Sequence, residues 1–218
     1  MKISTDGVIL GAYAGLGKPK NILDIGAGTG VVSLMLAQRF PEAMITGIEI
    51  DKDAAEQAIE NVSKSPWHNR VRIIHQSLQE FQKQHQGNFD MIVSNPPYFP
   101  KHLKSADLRR NIALHNDSLS FGELAKGIET LMEAHGHFWV ILPPDQMESL
   151  NKIMGYLGFF IFDKLLLRDN PNKNIIRIIQ GFSYSKGTLK MSNFLIKDSD
   201  GKYTKEYSEL LKEFLVIF

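Results

Sequence analysis

At 218 residues the chain is long enough for one domain with a substantial core, and its 43% hydrophobic and 22% charged residues exclude intrinsic disorder. No apolar run approaches the roughly 20 residues that a membrane helix needs, and the start lacks a secretory signal, so we expect a cytoplasmic protein. The absence of cysteine excludes disulfides, thiolate zinc sites and cysteine nucleophiles, while the net charge of +1 does not by itself indicate a nucleic-acid binder.

Short apolar runs alternate with helical segments, a pattern that predicts a parallel α/β sheet in one domain over residues 1–218. In chain order we predict strand 21–25, helix 31–39, strand 43–48, helix 52–64, strand 71–75, strand 89–94, helix 121–133 and strand 137–142. Two closely spaced strands, 159–167 and 175–184, predict an antiparallel hairpin at the sheet edge, and a helix at 203–215 closes the chain. The expected fold is a doubly wound, mostly parallel, seven-stranded Rossmann-like sheet with a late antiparallel strand, which is typical of methyltransferases rather than dinucleotide-binding enzymes.

A glycine-rich turn joins the first strand to the first helix and includes Asp24, Gly26, Ala27, Gly28 and Gly30. Glycines allow a ligand to approach the backbone and permit a positive φ, and the following helix offers free N–H groups. Such a turn alone is shared with NAD- and FAD-binding folds. The Gly-x-Gly-x-Gly spacing differs from the dinucleotide fingerprint, however, and a carboxylate before the turn complements the sulfonium and ammonium groups of S-adenosylmethionine while repelling a pyrophosphate. We therefore predict S-adenosylmethionine as the cofactor.

Glu49 stands at the end of the second strand, where a carboxylate can accept hydrogen bonds from both ribose hydroxyls. NAD-binding sheets use an acid at the same place, so Glu49 indicates a ribose ligand without identifying it. The alternative is that Glu49 and Asp51 are first-turn charges that complement the dipole of the following helix.

The tetrapeptide Asn95, Pro96, Pro97 and Tyr98 directly follows the fourth strand, 65 residues after Gly30, at the edge where such sheets bind ligands. The Asn95 side-chain oxygen and the Pro96 carbonyl can each accept one hydrogen from a planar NH2 group, which directs its lone pair towards a methyl donor and stabilises the developing charge. Tyr98 could stack on the target, with Phe99 as a second apolar wall. These four residues are the predicted catalytic set. The alternative is that the tetrapeptide is only a proline-rich turn in which Tyr98 packs against its neighbours. If the tetrapeptide is catalytic, its chemistry does not decide whether the methylated group belongs to adenine, cytosine or glutamine.

Two basic segments follow the tetrapeptide. Segment 164–190 carries six Lys and Arg against Asp169 alone, and segment 99–116 carries four against Asp107. A polyanionic substrate could use both, although solvated surface charges are an equally good explanation. No histidine has the spacing of a metal site, so we expect no metal.

At these motifs the chain resembles the NPPY-type amino-group N-methyltransferases, and more closely the bacterial tRNA1(Val) (adenine-37-N6)-methyltransferase family. The resemblance rests on stretches spread over nearly the whole chain: 5–12, 24–30, 34–39, 57–61, 65–67, 89–98 and 203–218. It implies methyl transfer to N6 of an adenine beside the anticodon of a valine tRNA, bound through the two basic segments. It also implies that Lys2, Thr5 and Asp6 form a cap over the cofactor.

Two departures from the family pattern stand out. Members usually carry a dozen or more residues before the Thr-Asp-Gly motif, and many have an acid for the cofactor's adenine amino group where this chain has Ser77. A serine hydroxyl can still make that hydrogen bond, and Ile50, Leu78 and Asn95, which is also in the catalytic set, complete the predicted cofactor-binding set. We expect a monomer without a membrane partner.

Other functions stay open at this point. The same tetrapeptide serves glutamine-N5 and DNA-adenine methyltransferases, which usually carry an additional N-terminal or recognition domain that we do not expect here. From other classes, a non-catalytic nucleotide-binding module and an NAD enzyme are possible, and binding of S-adenosylmethionine against NAD separates them.

Overall fold

The structure, a computed structural model, describes residues 4–85, 89–97 and 119–216. Among these residues, helices and strands alternate up to the sixth strand, and three consecutive strands precede the last helix. In chain order they are α1 (Thr5–Tyr13), β1 (Asn21–Ile25), α2 (Val31–Arg39), β2 (Met44–Glu49), α3 (Lys52–Ser63), β3 (Val71–His75), α4 (Leu78–Gln84), β4 (Phe89–Ser94), α5 (Phe121–Leu131), β5 (Met132–Leu142), α6 (Pro144–Tyr156), β6 (Phe160–Arg168), β7 (Ile175–Ser183), β8 (Lys190–Leu195) and α7 (Lys205–Leu211).

The described strands form one sheet in the order β3-β2-β1-β4-β5-β7-β6-β8. Strands β1 to β5 are parallel, β7 is antiparallel to both β5 and β6, and β8 is parallel to β6. The predicted mostly parallel sheet with a late antiparallel strand is confirmed, but the described strands number eight and not seven. The β6–β7 hairpin is also confirmed, although β8 and not the hairpin lies at the sheet edge.

Strand β8 was not predicted, because its sequence has few of the features that are typical of a strand. Its residues, Lys-Met-Ser-Asn-Phe-Leu, lack a β-branched run and none of them is fully buried. Pairing with β6, from Asp163 opposite Lys190 to Arg168 opposite Leu195, stabilises the strand instead.

Three described helices were not predicted either. Helix α1 is buried on most sides, so its sequence shows no amphipathic period. Helix α4 is short and begins with a capping box, and α6 begins at two adjacent prolines, with Pro143 as the N-cap and Pro144 as the first helical residue.

The core lies on both faces of the sheet, because neighbouring strand residues point to opposite sides. Ile22 belongs to one cluster and Leu23 to the other, and Trp139 and Val140 divide in the same way. Helices α1, α2, α3 and α7 cover the first face, while α4, α5 and α6 cover the second. Among the described helices, none combines the length and apolar character needed to cross a membrane.

Candidate active site

The carboxyl ends of three neighbouring strands bring the predicted site together. Ile25, the last residue of β1, pairs with Ile48 of β2 on one side and with Ser94 of β4 on the other. The glycine-rich turn after β1, Glu49 at the end of β2 and Asn95 after β4 therefore share one edge of the sheet. This edge is where ligands of open α/β sheets bind.

The glycine-rich turn has a backbone that other residues rarely adopt. Gly26, Gly28 and Gly30 have φ values of 74°, 56° and 82°, in the left-handed region. The N–H groups of Gly26 and Ala27 both donate to the Ile48 carbonyl, at 2.9 and 3.0 Å. A Cβ built at Gly26 would meet no atom of the described residues within 4 Å, so the space above this glycine is open to a ligand.

Glu49 anchors the turn to the end of β2. Its Oε2 accepts a hydrogen bond from the Gly28 N–H at 2.8 Å, and its Oε1 accepts one from the Asp51 N–H at 2.9 Å. Of the two acids considered for the start of the following helix, Asp51 has that role: it caps α3 by accepting a hydrogen bond from the Ala54 N–H at 2.8 Å. Beside Glu49, Ile50 is 68% exposed, which is unusual for so large an apolar side chain.

Asp24 is buried behind the turn and only 1% exposed. Its Oδ2 accepts a hydrogen bond of 2.7 Å from the Ser33 hydroxyl of α2. Burial, opposed by the Ser33 hydrogen bonds and reinforced by the nearby Glu49, raises the pKa of Asp24 to about 6. The sequence prediction missed Ser33, since a serine within an apolar helix shows its partner only when the fold is known.

Ser77 and Leu78 begin α4 and have structural contacts of their own. Ser77 and Glu80 form a capping box, in which the Ser77 hydroxyl also donates to Glu80 Oε2 at 2.9 Å. Leu78 is buried in the core against α5, where a Cβ at Gly127 would lie 2.7 Å from its Cδ2. Their contact with a cofactor stays a prediction.

Asn95 is half-buried and its amide is oriented by a residue that sequence reasoning did not select. The Asn95 Nδ2 donates to Ser4 Oγ at 3.3 Å, and the same oxygen caps α1 by accepting from the Gly7 N–H at 3.1 Å. Among the described residues, none hydrogen-bonds Asn95 Oδ1. Pro96 is buried and Pro97 is exposed. The available sequence signal for Ser4 was a serine at the start of a helix.

The first turn of α1 lies beside Asn95. Thr5 is exposed, whereas Asp6 forms an ion pair with Arg177 of β7, with 2.6 Å between Oδ2 and Nε. Both side chains are mostly buried, with 17% of Asp6 and 25% of Arg177 exposed. Arg177 was predicted as part of basic segment 164–190, and the structure pairs it with this carboxylate.

Three predicted features lie outside the described residues: Lys2, Tyr98 and basic segment 99–116. Within residues 4–85, 89–97 and 119–216, no group of three or more His, Asp and Glu side chains is arranged to hold a metal ion.

Comparison with known proteins identifies the family of this chain. The model of the methyltransferase small domain matches residues 13–119. A tRNA1(Val) (adenine(37)-N6)-methyltransferase of Pseudoalteromonas translucida is 40% identical over 214 residues, covering 98% of this chain and 91% of the relative. A relative of the same name from Phocaeicola vulgatus is 41% identical over 214 residues and covers 98% and 90%.

Solved structures show the same fold at low sequence identity. A predicted O-methyltransferase of Agrobacterium tumefaciens has a TM-score of 0.76 at 17% identity and covers 95% of this chain and 96% of its own. The structure of P. horikoshii TYW2 in complex with MeSAdo has a TM-score of 0.58 at 15% identity and covers 85% and 66%. With its methyltransferase sheet and close relatives that match it over almost their whole length, the chain belongs to the tRNA1(Val) (adenine(37)-N6)-methyltransferase family.

Proposed function

We propose that this protein transfers a methyl group from S-adenosylmethionine to the N6 amino group of an adenine in tRNA, at position 37 of tRNA1(Val) as the names of its relatives state. The observation that carries the proposal is the orientation of Asn95. Its amide nitrogen donates to Ser4, and no residue that the structure describes hydrogen-bonds its Oδ1, which lies at the edge of the sheet that also holds the glycine-rich turn.

The residues around the turn fit S-adenosylmethionine. The open space above Gly26 suits a ligand that lies against the backbone. Each Glu49 oxygen has accepting capacity beyond its single backbone bond, which suits ribose hydroxyls, and the exposed Ile50 offers an apolar surface to a flat adenine ring. Asp24 supplies a negative charge near the cationic end of the cofactor. When bound, S-adenosylmethionine supplies an electrophilic methyl group on its sulfonium.

Asn95 and Pro96 supply the chemistry at the target nitrogen. The N6 amino group of adenine is a poor nucleophile because its lone pair is delocalised into the ring. Hydrogen bonds from its two hydrogens to Asn95 Oδ1 and the Pro96 carbonyl would direct the lone pair out of the ring plane and stabilise the positive charge that develops on nitrogen. Positioning and fixed dipoles then supply most of the acceleration, without a strong general base.

An adenine inside a stacked helix could not reach this edge of the sheet. Enzymes that modify a base generally take it out of the stack, and an anticodon loop is already unpaired. The proposal therefore includes a loop adenine as target, with Tyr98 as its stacking partner and a cytoplasmic site of action.

The experiment measures transfer of a radiolabelled methyl group to separate pools of tRNA, double-stranded DNA and a glutamine-containing release-factor fragment. We expect labelled tRNA. Asn95→Ala should reduce the rate by about 10²- to 10³-fold, as the loss of an oriented acceptor does, while calorimetric affinity for S-adenosylmethionine stays unchanged. Asn69→Ala, an exposed asparagine before β3, is the matched control and should retain full activity. Labelling of DNA or of the protein fragment alone would overturn the proposed substrate, and an active Asn95→Ala variant would overturn the assigned role.

A further inference from the structure

A basic surface lies beyond Asn95, where the β6–β7 hairpin turns and the connection from β8 to α7 runs alongside it. We define this hairpin-tip surface by Arg168, Lys173, Lys197, Lys202 and Tyr203. The two chain segments form one continuous structure, because the N–H groups of Ile196 and Lys197 donate to the carbonyls of Arg168 and Asp169 at 3.0 and 2.8 Å.

The strand register places the hairpin tip above the level of the active site. Ser94, next to Asn95, aligns with Val140 of β5, then with Gln180 of β7 and with Lys164 of β6. Strand β6 continues four residues further to Arg168, which is about 13 Å at the usual rise per residue. Because β6 lies three strand spacings from β4, or about 14 Å, a nucleic acid bound at Asn95 can also reach this tip.

Two acidic side chains of the surface have partners of their own, and one of these partners is Lys197. Asp169 pairs with Lys197 at 3.6 Å, and Asp198 holds the turn by accepting from the N–H groups of Asp200 and Lys202 at 2.9 and 3.0 Å. Lys173 and Lys202 are exposed, and neither has an ion-pair partner among the described residues. These two lysines are therefore the cations of the surface that can contact phosphates, beside the carboxylates of Asp198 and Asp200.

Tyr203 adds an aromatic ring to the surface. It is 49% exposed and stacks on the buried Tyr207, with ring centroids 5.1 Å apart and an interplanar angle of 25°. The next residue, Thr204, ties the backbone in place by donating its hydroxyl to the Leu195 carbonyl at 2.6 Å. An exposed ring held in this way is a platform on which an unpaired base can stack.

Two other lysines of segment 164–190, Lys186 and Lys190, lie away from the tip, whereas Lys164 lies in the middle of β6 at the level of Ser94. Strand β7 runs from Ile175 to Ser183, about 27 Å at the usual rise, so Lys186 follows it at the far end from the tip. Lys190, nearby, lies 3.5 Å from Asp163 and over the ring of Tyr13. Neighbours in sequence are therefore separated by the fold into two groups with different access to the active site.

We propose that the hairpin-tip surface binds the backbone of the substrate tRNA, with Lys173 and Lys202 on phosphates and Tyr203 under an unpaired base, and that Lys186 takes no part. The proposal rests on the proposed function, because it needs a tRNA substrate whose target adenine enters at Asn95. Under this proposal one part of basic segment 164–190 binds tRNA and another part does not, a division that the sequence alone does not show.

Charge reversals on a matched set of lysines test this assignment. The variants Lys173→Glu and Lys202→Glu are compared with Lys186→Glu, which changes another exposed lysine by the same charge. Fluorescence anisotropy measures the tRNA affinity of the full chain over a series of salt concentrations. Each tip variant should bind about tenfold more weakly and lower the salt slope by about one, whereas Lys186→Glu should match the wild type. Equal weakening by Lys186→Glu, or unchanged binding by both tip variants, overturns the proposal.

Further measurements separate this proposal from the proposed function. At saturating tRNA the tip variants should keep the wild-type kcat while KM rises, and their calorimetric affinity for S-adenosylmethionine should not change. A fall in kcat at saturation would overturn a pure docking role. Tyr203→Phe keeps the stacking ring and should bind tRNA normally, while Tyr203→Leu should bind more weakly; equal binding by both removes the stacking role. Wild-type protein that binds tRNA at the tip without methylating it would contradict the proposed function and leave the docking surface standing.

Discussion

Replacing Asp24 by asparagine should make the protein more stable and weaken its cofactor binding. Asp24 is almost fully buried, and burial raises its pKa from 3.8 to about 6. Because the folded state holds this proton more tightly than the unfolded chain, the group favours folding most strongly below about pH 4. That contribution is lost as the pH rises through about 6, where the folded protein must ionise a buried carboxyl.

The size of the effect follows from the shift in pKa. A shift of about two units corresponds to about 3 kcal/mol at neutral pH, and an amide of the same shape avoids this ionisation while keeping an acceptor for Ser33. The 3 kcal/mol is an upper bound on the gain in stability, and for a chain of this size it corresponds to a rise in Tm of roughly 6–12 °C. Removing the charge near a cationic cofactor should weaken S-adenosylmethionine binding by at least about tenfold, or ~1.4 kcal/mol.

The assay is thermal unfolding of the wild type and Asp24→Asn between pH 4 and 8, together with calorimetric titration of S-adenosylmethionine. The difference in Tm between the two proteins should grow as the pH rises from 4 to 7. Asp163→Asn is the contrasting control: Asp163 is also buried, but it accepts a hydrogen bond of 2.7 Å from Tyr13 and pairs with Lys190, so its replacement should destabilise. A lower Tm for Asp24→Asn at every pH, or a difference that does not vary with pH, would refute the reasoning.

Two further predictions concern how the site is held in place. Arg177→Met should destabilise the protein, because it leaves the mostly buried Asp6 without its ion-pair partner. Adding Asp6→Asn should recover part of the lost stability, with a coupling energy of about 1–3 kcal/mol measured by urea unfolding. If the effects of the two substitutions simply add, the ion pair does not hold α1 in place. Gly47→Ala should destabilise by about 1–3 kcal/mol, because the new Cβ would lie 2.7 Å from Ile73 Cδ1 and 3.0 Å from Ala27 Cβ, beneath the glycine-rich turn. Gly155→Ala in α6 is its control, since no atom of the described residues lies within 4 Å of the added Cβ, and it should leave stability unchanged or raise it by about 1 kcal/mol; equal losses in the two glycine variants would contradict the packing argument.

Much of the fold could be predicted because its buried strands have a strong local signal. Strands β1, β3 and β4 begin and end at the predicted residues, since each is a short apolar run bounded by polar or glycine-rich turns. Strand β8 and helix α1 could not be predicted in the same way. Strand β8 is stabilised by pairing with β6, and helix α1 is buried on most sides. Neither sequence therefore shows the alternation of apolar and polar residues that identifies a strand or a helix.

The family resemblance predicted from the motifs is confirmed, and so is the class of reaction. The roles of the individual site residues stay predictions, although the structure shows where the described ones lie. The structure brings the glycine-rich turn, Glu49 and Asn95 to one edge, as their places after parallel strands implied. It also reveals Ser4 and Ser33, whose partners lie 91 and 9 residues away and whose roles have no local signature.

The sequence by itself determined the chemistry that this protein can perform, because the glycine spacing, the strand-end acid and the Asn-Pro-Pro-Tyr tetrapeptide each depend on a few adjacent residues. Only the tertiary structure decided which groups support that chemistry. It pairs Asp6 with Arg177 across 171 residues, turns the Asn95 amide towards Ser4, and divides one basic segment between two ends of a hairpin. The physical reason is that local geometry depends on neighbours in the chain, whereas burial, ion pairing and access to a substrate depend on neighbours in space.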